Sequence, residues 1–170
     1  VLSPFSSLLC GTTPSFLQEA ADSGIFADGF SSRTCWLFEG KARAFAPRLA
    51  KMTDDQRTEE DILRKRLRQI AKLKGEVRES DESKVWFDEW ATTNVAPAIE
   101  RATGPMRDYY ARKITTTHKL AMAIWFSDND SMTIELPAYK EAVRVLESIE
   151  SKMRLGLNML GRNPLSSHTD

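Results

Sequence analysis

Several groups of side chains in this chain have types and spacings suited to handling phosphate or nucleic acid. Thr12 and Thr13 place two hydroxyls in the turn Gly11-Thr12-Thr13-Pro14, which closes a short apolar run at residues 5–10 (FSSLLC). That run reads as a strand ending in a polar turn, with a short helix over 15–21 behind it. In open α/β sheets ligands bind at the C-terminal edge of the strands, so these hydroxyls stand where a ligand would be met. The plainer alternative is that Thr13 caps the following helix beside a proline in its first turn. Arg33 stands just before a second candidate strand, residues 34–39 (TCWLFE), on the rim of the sheet. A guanidinium there makes either a surface ion pair or a contact to bound phosphate. Arg112, Lys113, His118 and Lys119 gather cationic groups at the head of an apolar helix, RKITTTHKLAMAIWF over 112–126. Arg64, Arg68 and Lys72 recur every fourth residue. Such a row is either solvated or touches nucleic-acid phosphates, in which case each contact steepens the salt dependence of binding.

What is missing limits the chemistry. No GxxxxGK[ST] phosphate loop, GxGxxG turn, HExxH helix or GxSxG elbow occurs. The acid pairs Asp54/Asp55 and Glu59/Glu60 lie at a solvated helix start, where nothing raises a carboxylate pKa. His118 has no sequence neighbour that suggests a triad and reads as a core histidine satisfied by hydrogen bonds. Cys10, Cys35, His118 and His168 are too few for a Cys/His zinc site and give no disulfide framework. Self-sufficient catalysis is therefore not expected. Lysine and arginine number 24 against 24 acidic residues, so the net charge is zero and a polyanionic partner has to be argued from local charge. The expected setting is a reducing cytoplasm without a membrane span, because no apolar run approaches the roughly 18–20 residues that a bilayer requires. A chain that opens on Val1 and enters an apolar run within a few residues reads as a cut piece of a longer protein.

The elements that must carry these groups are mostly helical. With 41% hydrophobic residues, the chain can build a substantial core. Residues 34–39 have the aromatic and β-branched content of a strand buried on both faces, and residues 40–52, interrupted by Pro47, form a connector. Thr53 opens a long amphipathic helix to about Lys74, acidic in its first turns and basic in its last, which suits the helix macrodipole. Ser80 caps the next helix, in which Val85, Trp86, Phe87 and Trp90 form an aromatic core cluster. Pro97 and Gly104-Pro105 break the chain ahead of the central helix. From Leu120 to Phe126 every residue is apolar, which predicts a helix buried nearly all round. Residues 127–131 form a polar turn and 132–135 a short strand. Pro137 suits a first helical turn, and Leu136, Tyr139, Val143, Leu146, Ile149, Met153 and Leu157 then draw an amphipathic stripe that packs on the central helix. Residues 161–170 form a loose tail.

Taken together, GTTP at 11–14, GFSSR at 29–33 before TCWLFE, and ARKITTTHKLAMA at 111–123 before a polar turn and an amphipathic helix resemble the C-terminal part of the helicase-like ATPase of phage, plasmid and prophage primase–helicase proteins. The similarity covers about residues 5–40 and 105–155. It implies a mainly α chain with a few short strands: a C-terminal remnant of a P-loop ATPase α/β core with two strands at 1–40, a connector and amphipathic helix at 41–80, a lid-like helical domain at 81–160, and the tail. Within that resemblance Thr12 or Thr13 senses the γ-phosphate, Arg33 is an arginine finger, and Arg112 with Lys119 matches a sensor arginine and its basic partner on a lid helix. A guanidinium so placed neutralises charge on the equatorial oxygens during phosphoryl transfer, which can be worth about 10³–10⁵ in rate. ATP and magnesium would be held by residues upstream of Val1, so the chain alone would not hydrolyse ATP. DNA, copies of the same chain and other motor subunits are the implied partners. The alternative is a non-enzymatic helical module that binds DNA, through Arg64, Arg68 and Lys72, or protein.

Overall fold

Thr53 starts the first described helix by a reciprocal cap. Its hydroxyl accepts from Gln56 N at 3.2 Å, and the Gln56 side chain accepts from Thr53 N at 2.9 Å, which satisfies two of the donors that every helix start leaves open. The computed structural model describes residues 51–160, the stretch 33–37, and Gly11, Thr13 and Glu19; among these, the side chains of Pro105 and of residues 154–160 are not described. Thr12, the strand expected at 5–10, the helix at 15–21, most of the connector and the tail lie outside the described residues. The chain is mainly helical. It runs α1 (Asp54–Ile70), β1 (Arg78–Glu79), α2 (Asp81–Trp90), a π-helical turn (Ala91–Val95), α3 (Ala96–Arg101), α4 (Gly104–Asp128), β2 (Thr133–Ile134) and α5 (Leu136–Leu160).

Helices α4 and α5 form the core. Lys113 meets Glu150 and His118 meets Tyr139, so residue numbers rise on one helix as they fall on the other and the pair is antiparallel. The contact ridge carries small residues: Ala121 on α4 and Ala142 on α5 are fully buried, with Ala138 nearly so. On α5 the expected stripe is confirmed at Leu136, Tyr139, Val143, Leu146 and Met153, all buried, with Ile149 half-buried. A fully buried side chain of this size contributes about 1.5–3 kcal/mol, so this stripe is the main source of cohesion. Helix α2, capped by Ser80 through Ser83 N, adds Phe87 and Trp90 to the same core.

Of the two proline sites expected to break or kink the chain, Pro97 distorts a continuous helical path and Gly104-Pro105 follows a true break. Pro97 has no N–H to donate, and the helical path ahead of it widens into the π turn, where Ala96 N reaches back to Ala91 O. Gly104 has φ +55° at the start of α4, followed by Pro105; a side chain at position 104 would be strained in that left-handed conformation. The β1 and β2 strands pair in parallel, Arg78 with Thr133 and Glu79 with Ile134, with α2, α3 and α4 making the long crossover that parallel pairing requires.

Three expectations need correction. Residues 34–37 are irregular backbone rather than a strand buried on both faces: Trp36 packs on Tyr109, Tyr110 and Met153, while Leu37 is 67% exposed. The apolar part of α4 is not enclosed. Its buried line is Tyr110, Lys113, Thr117 and Ala121, and Ile114 and Met122 turn partly to solvent because the neighbouring helices cover only one side. Val85, expected in the aromatic cluster, is 71% exposed, while Phe87 and Trp90 on the other side of α2 are buried. Among the described residues, no helix is long and apolar enough to cross a membrane.

Helix α1 is fastened differently, since none of its residues is buried. Arg66 reaches across to the C-terminus of α4 and donates to Phe126 O at 2.9 and 3.2 Å and to Asn129 O at 2.7 Å, with an ion pair to Asp130 at 2.7 Å. The guanidinium thereby serves carbonyls that a helix end leaves without partners, at the negative end of the macrodipole. Replacing Arg66 by alanine is expected to cost about 1.5–3 kcal/mol, the range for hydrogen bonds to a charged group. Amide exchange should then accelerate in 54–70 before it does in α4 and α5. Unchanged exchange in α1 would show that something else holds the helix.

Candidate functional site

The polar groups of α4 fall into two clusters that face α5. In the first, Lys113 and Glu150 are almost fully buried and lie 2.5 Å apart. Tyr109 Oη donates to the same Glu150 oxygen at 3.1 Å, and the Lys113 ammonium lies 5.5 Å from the Trp90 ring centre and 5.6 Å from that of Tyr110. A buried ammonium with a carboxylate and two aromatic faces around it is charge-neutralised on several sides. Burial first, and then the Glu150 charge, push the Tyr109 phenol well above its ordinary range, so Tyr109 stays a neutral donor. Thr117, one turn along, returns its buried hydroxyl to Lys113 O at 2.8 Å.

In the second cluster, His118 Nδ1 lies 3.1 Å from Tyr139 Oη and 3.2 Å from Glu79 Oε1. The Phe87 ring packs 4.3 Å from the imidazole, centre to centre. Burial, followed by the hydrogen bond to Glu79, raises the Tyr139 phenol above its ordinary value. The imidazole is thus oriented by a carboxylate, as in a general base. The reading of His118 as a histidine satisfied by hydrogen bonds holds, although its side chain is 33% exposed. Glu79 and Tyr139 lie far from it in sequence, and no local pattern announces the contact.

The remaining surface feature is α1. Ile62, Leu63 and Leu67 are each at least 60% exposed. Around them the helix is charged, with Asp54, Asp55, Glu59, Glu60 and Asp61 ahead and Arg64, Lys65 and Arg68 behind; it ends at Ile70 rather than near Lys74, so Lys72 and Lys74 follow it.

Comparisons with known proteins give no relative. The chain matches no model of a protein family, no curated protein and no solved structure. Function has to be argued from the geometry.

The residues singled out by sequence are dispersed. Thr13 and Arg33 are exposed in the short described stretches that precede α1. Arg112 and Lys119 lie on α4 two turns apart and are both exposed, about 10.5 Å from each other at helical rise. The stretch that carries Arg33 reaches the core through Trp36, which packs against the cluster of Tyr109, Tyr110 and Met153. Arg64 is committed to Glu60, with Nε at 2.8 Å and Nη2 at 2.5 Å from one oxygen, while Arg68 and Lys72 are exposed beyond it. A shallow groove lined by Glu82, Leu136, Pro137, Lys140, Glu141 and Arg144 mixes both signs of charge, and Arg144 is already paired with Glu141. Among the described residues, no group of three or more histidine, cysteine or carboxylate side chains could hold a metal ion.

The Lys113–Glu150 pair makes a quantitative expectation. Lys113→Met leaves Glu150 charged and buried beside Tyr109, and should cost about 3–5 kcal/mol in urea denaturation. The double change Lys113→Met with Glu150→Leu should recover most of that loss. A single variant as stable as the parent would show that water reaches the pair.

Proposed function

We propose that this chain is a helical module that docks onto protein through the exposed side of α1. Its setting would be the C-terminal part of a phage or plasmid replication ATPase. The observation that supports docking is the open apolar side of α1, at Ile62, Leu63 and Leu67, on a helix that buries none of its residues. Isolated helices of this length are marginal in water, so an amphipathic helix with its apolar side open gains from a covering partner. The setting rests on the sequence resemblance alone, with ATP and magnesium held by upstream residues and Arg33, Arg112 and Lys119 serving a nucleotide in the assembled protein. DNA is the weaker partner for α1, because a phosphate backbone following Arg64, Arg68 and Lys72 would meet the carboxylates of the first half.

An apolar dye such as anilinonaphthalene sulfonate tests the docking surface. At high dilution the parent chain should enhance the dye's fluorescence, and Leu63→Ser with Leu67→Ser should remove most of the enhancement without lowering the unfolding temperature. Equal enhancement by both proteins would end the docking reading. The setting has a separate test. In the longer protein that includes a phosphate loop, Arg33→Ala should reduce ATP turnover by about 10³-fold or more, and unchanged turnover would remove the finger assignment.

A further inference from the structure

Helix α1 carries its own supports. The reciprocal cap of Thr53 and Gln56 closes its first turn, Arg57 pairs with Asp54 at 3.1 Å and Arg64 with Glu60 at 2.8 Å, and its acids precede its cations in the order that the helix dipole favours. Each of these interactions lies within the helix or at its own cap. With every other described element α1 makes only sparse contact, and none of its residues is buried. What ties it down is one guanidinium, Arg66 on Phe126 O, Asn129 O and Asp130, with Ile70 half-buried one turn further on.

The chain behind α1 supplies a pivot. Helical-turn bonding ends with Leu73 N to Ile70 O, and strand bonding begins with Arg78 N to Met132 O. Val77, next to the strand, packs on the main core, so residues 74–76 are left to bend. Gly75 stands there at φ +135°, a conformation that a residue with a Cβ holds only under strain. A Cβ at that position would meet Met132 Cε at an ordinary 3.8 Å, so a substitution there tests the backbone and not the packing.

We infer that α1 is an arm, latched by Arg66 and pivoting at 74–76, that swings off the core as an intact helix. Release uncovers Ile70 and Leu73, both half-buried in the latched state, and adds them to the apolar side already open at Ile62, Leu63 and Leu67. Leu63, Leu67, Ile70 and Leu73 follow one another at steps of four and three, so together they make one stripe. The latched helix shows a partner only part of it, and Arg66 is an autoinhibitory contact. The inference rests on the docking reading above and supplies its regulation. Opening strands no polar group, because Phe126 O and Asn129 O lie at a helix end where water replaces the guanidinium. A latch made of hydrogen bonds to one charged group leaves roughly 1–10% of molecules open.

Double electron–electron resonance on the full chain reads the arm. Nitroxides at Glu59→Cys on α1 and Glu147→Cys on α5, with Cys10→Ser and Cys35→Ser removing the native thiols, should give one main distance and a small second population. Arg66→Ala and Gly75→Ala, made separately, should each enlarge that second population by about fivefold or more. Far-UV circular dichroism should fall by less than half of what melting the 17 residues of α1 would remove. The apolar dye should fluoresce more with Arg66→Ala than with the parent, and adding Ile70→Ser with Leu73→Ser should cancel that gain. Unchanged distances in either variant, a loss of ellipticity matching a melted α1, or a dye signal that stays level while the distances shift would each overturn the proposal. The docking reading fails separately, if the parent gives no enhancement that Leu63→Ser with Leu67→Ser removes.

Discussion

A buried lysine bonded to a buried glutamate sets the register of the two long helices. Lys113 and Glu150 face each other across the α4–α5 contact with little access to water, and either charge alone would be expensive there. Sliding one helix past the other by a turn would separate them, whereas apolar neighbours tolerate such slippage more readily. The pair acts together with the alanine ridge at 121, 138 and 142, which lets the helices approach closely enough for the ion pair to form. The His118–Tyr139 contact, further along the same seam, requires the same alignment.

The rest of the chain attaches to this seam in two ways. Helix α2 joins by burial, with Phe87 and Trp90 entering the core, and the short β1 strand arriving before it brings Glu79 to His118. Helix α1 joins by hydrogen bonds from one guanidinium to the exposed end of α4. Burial is non-directional and can consume an apolar surface, whereas a guanidinium anchor is directional and leaves the surface open. The apolar side of α1 is thus available for a partner because the chain holds this helix by its polar side.

Legibility in the sequence tracked the range of the interactions. Caps at Thr53 and Ser80, the distortion near Pro97, the glycine and proline opening α4 and the stripe of α5 from Leu136 to Met153 all depend on residues within a few positions of each other, and all could be read directly. Burial could not. Leu120 to Phe126 look uniformly apolar, yet Met122 turns partly outward while Lys113, a charged residue, goes inside. Apolar content states a preference for being covered, but the number of helices that arrive to do the covering is a property of the whole fold. Residues 34–37 failed as a strand for a related reason. Their aromatic content suits a sheet, but Trp36 spends it on the cluster of Tyr109, Tyr110 and Met153.

By itself the sequence determined that the chain is mainly helical, that Thr53 and Ser80 cap helices, that the last helix packs on one face, and that α1 is acidic ahead and basic behind. Those are consequences of local periodicity, capping chemistry and charge order, which need no distant partner. Only the tertiary structure decided that Lys113 pairs with Glu150, that His118 is held by Glu79 and Tyr139, and that Arg66 caps another helix and so leaves Ile62, Leu63 and Leu67 in the open. Each of those joins residues from different elements, and whether a charge is buried or an apolar side chain uncovered is settled only when separate pieces of chain meet.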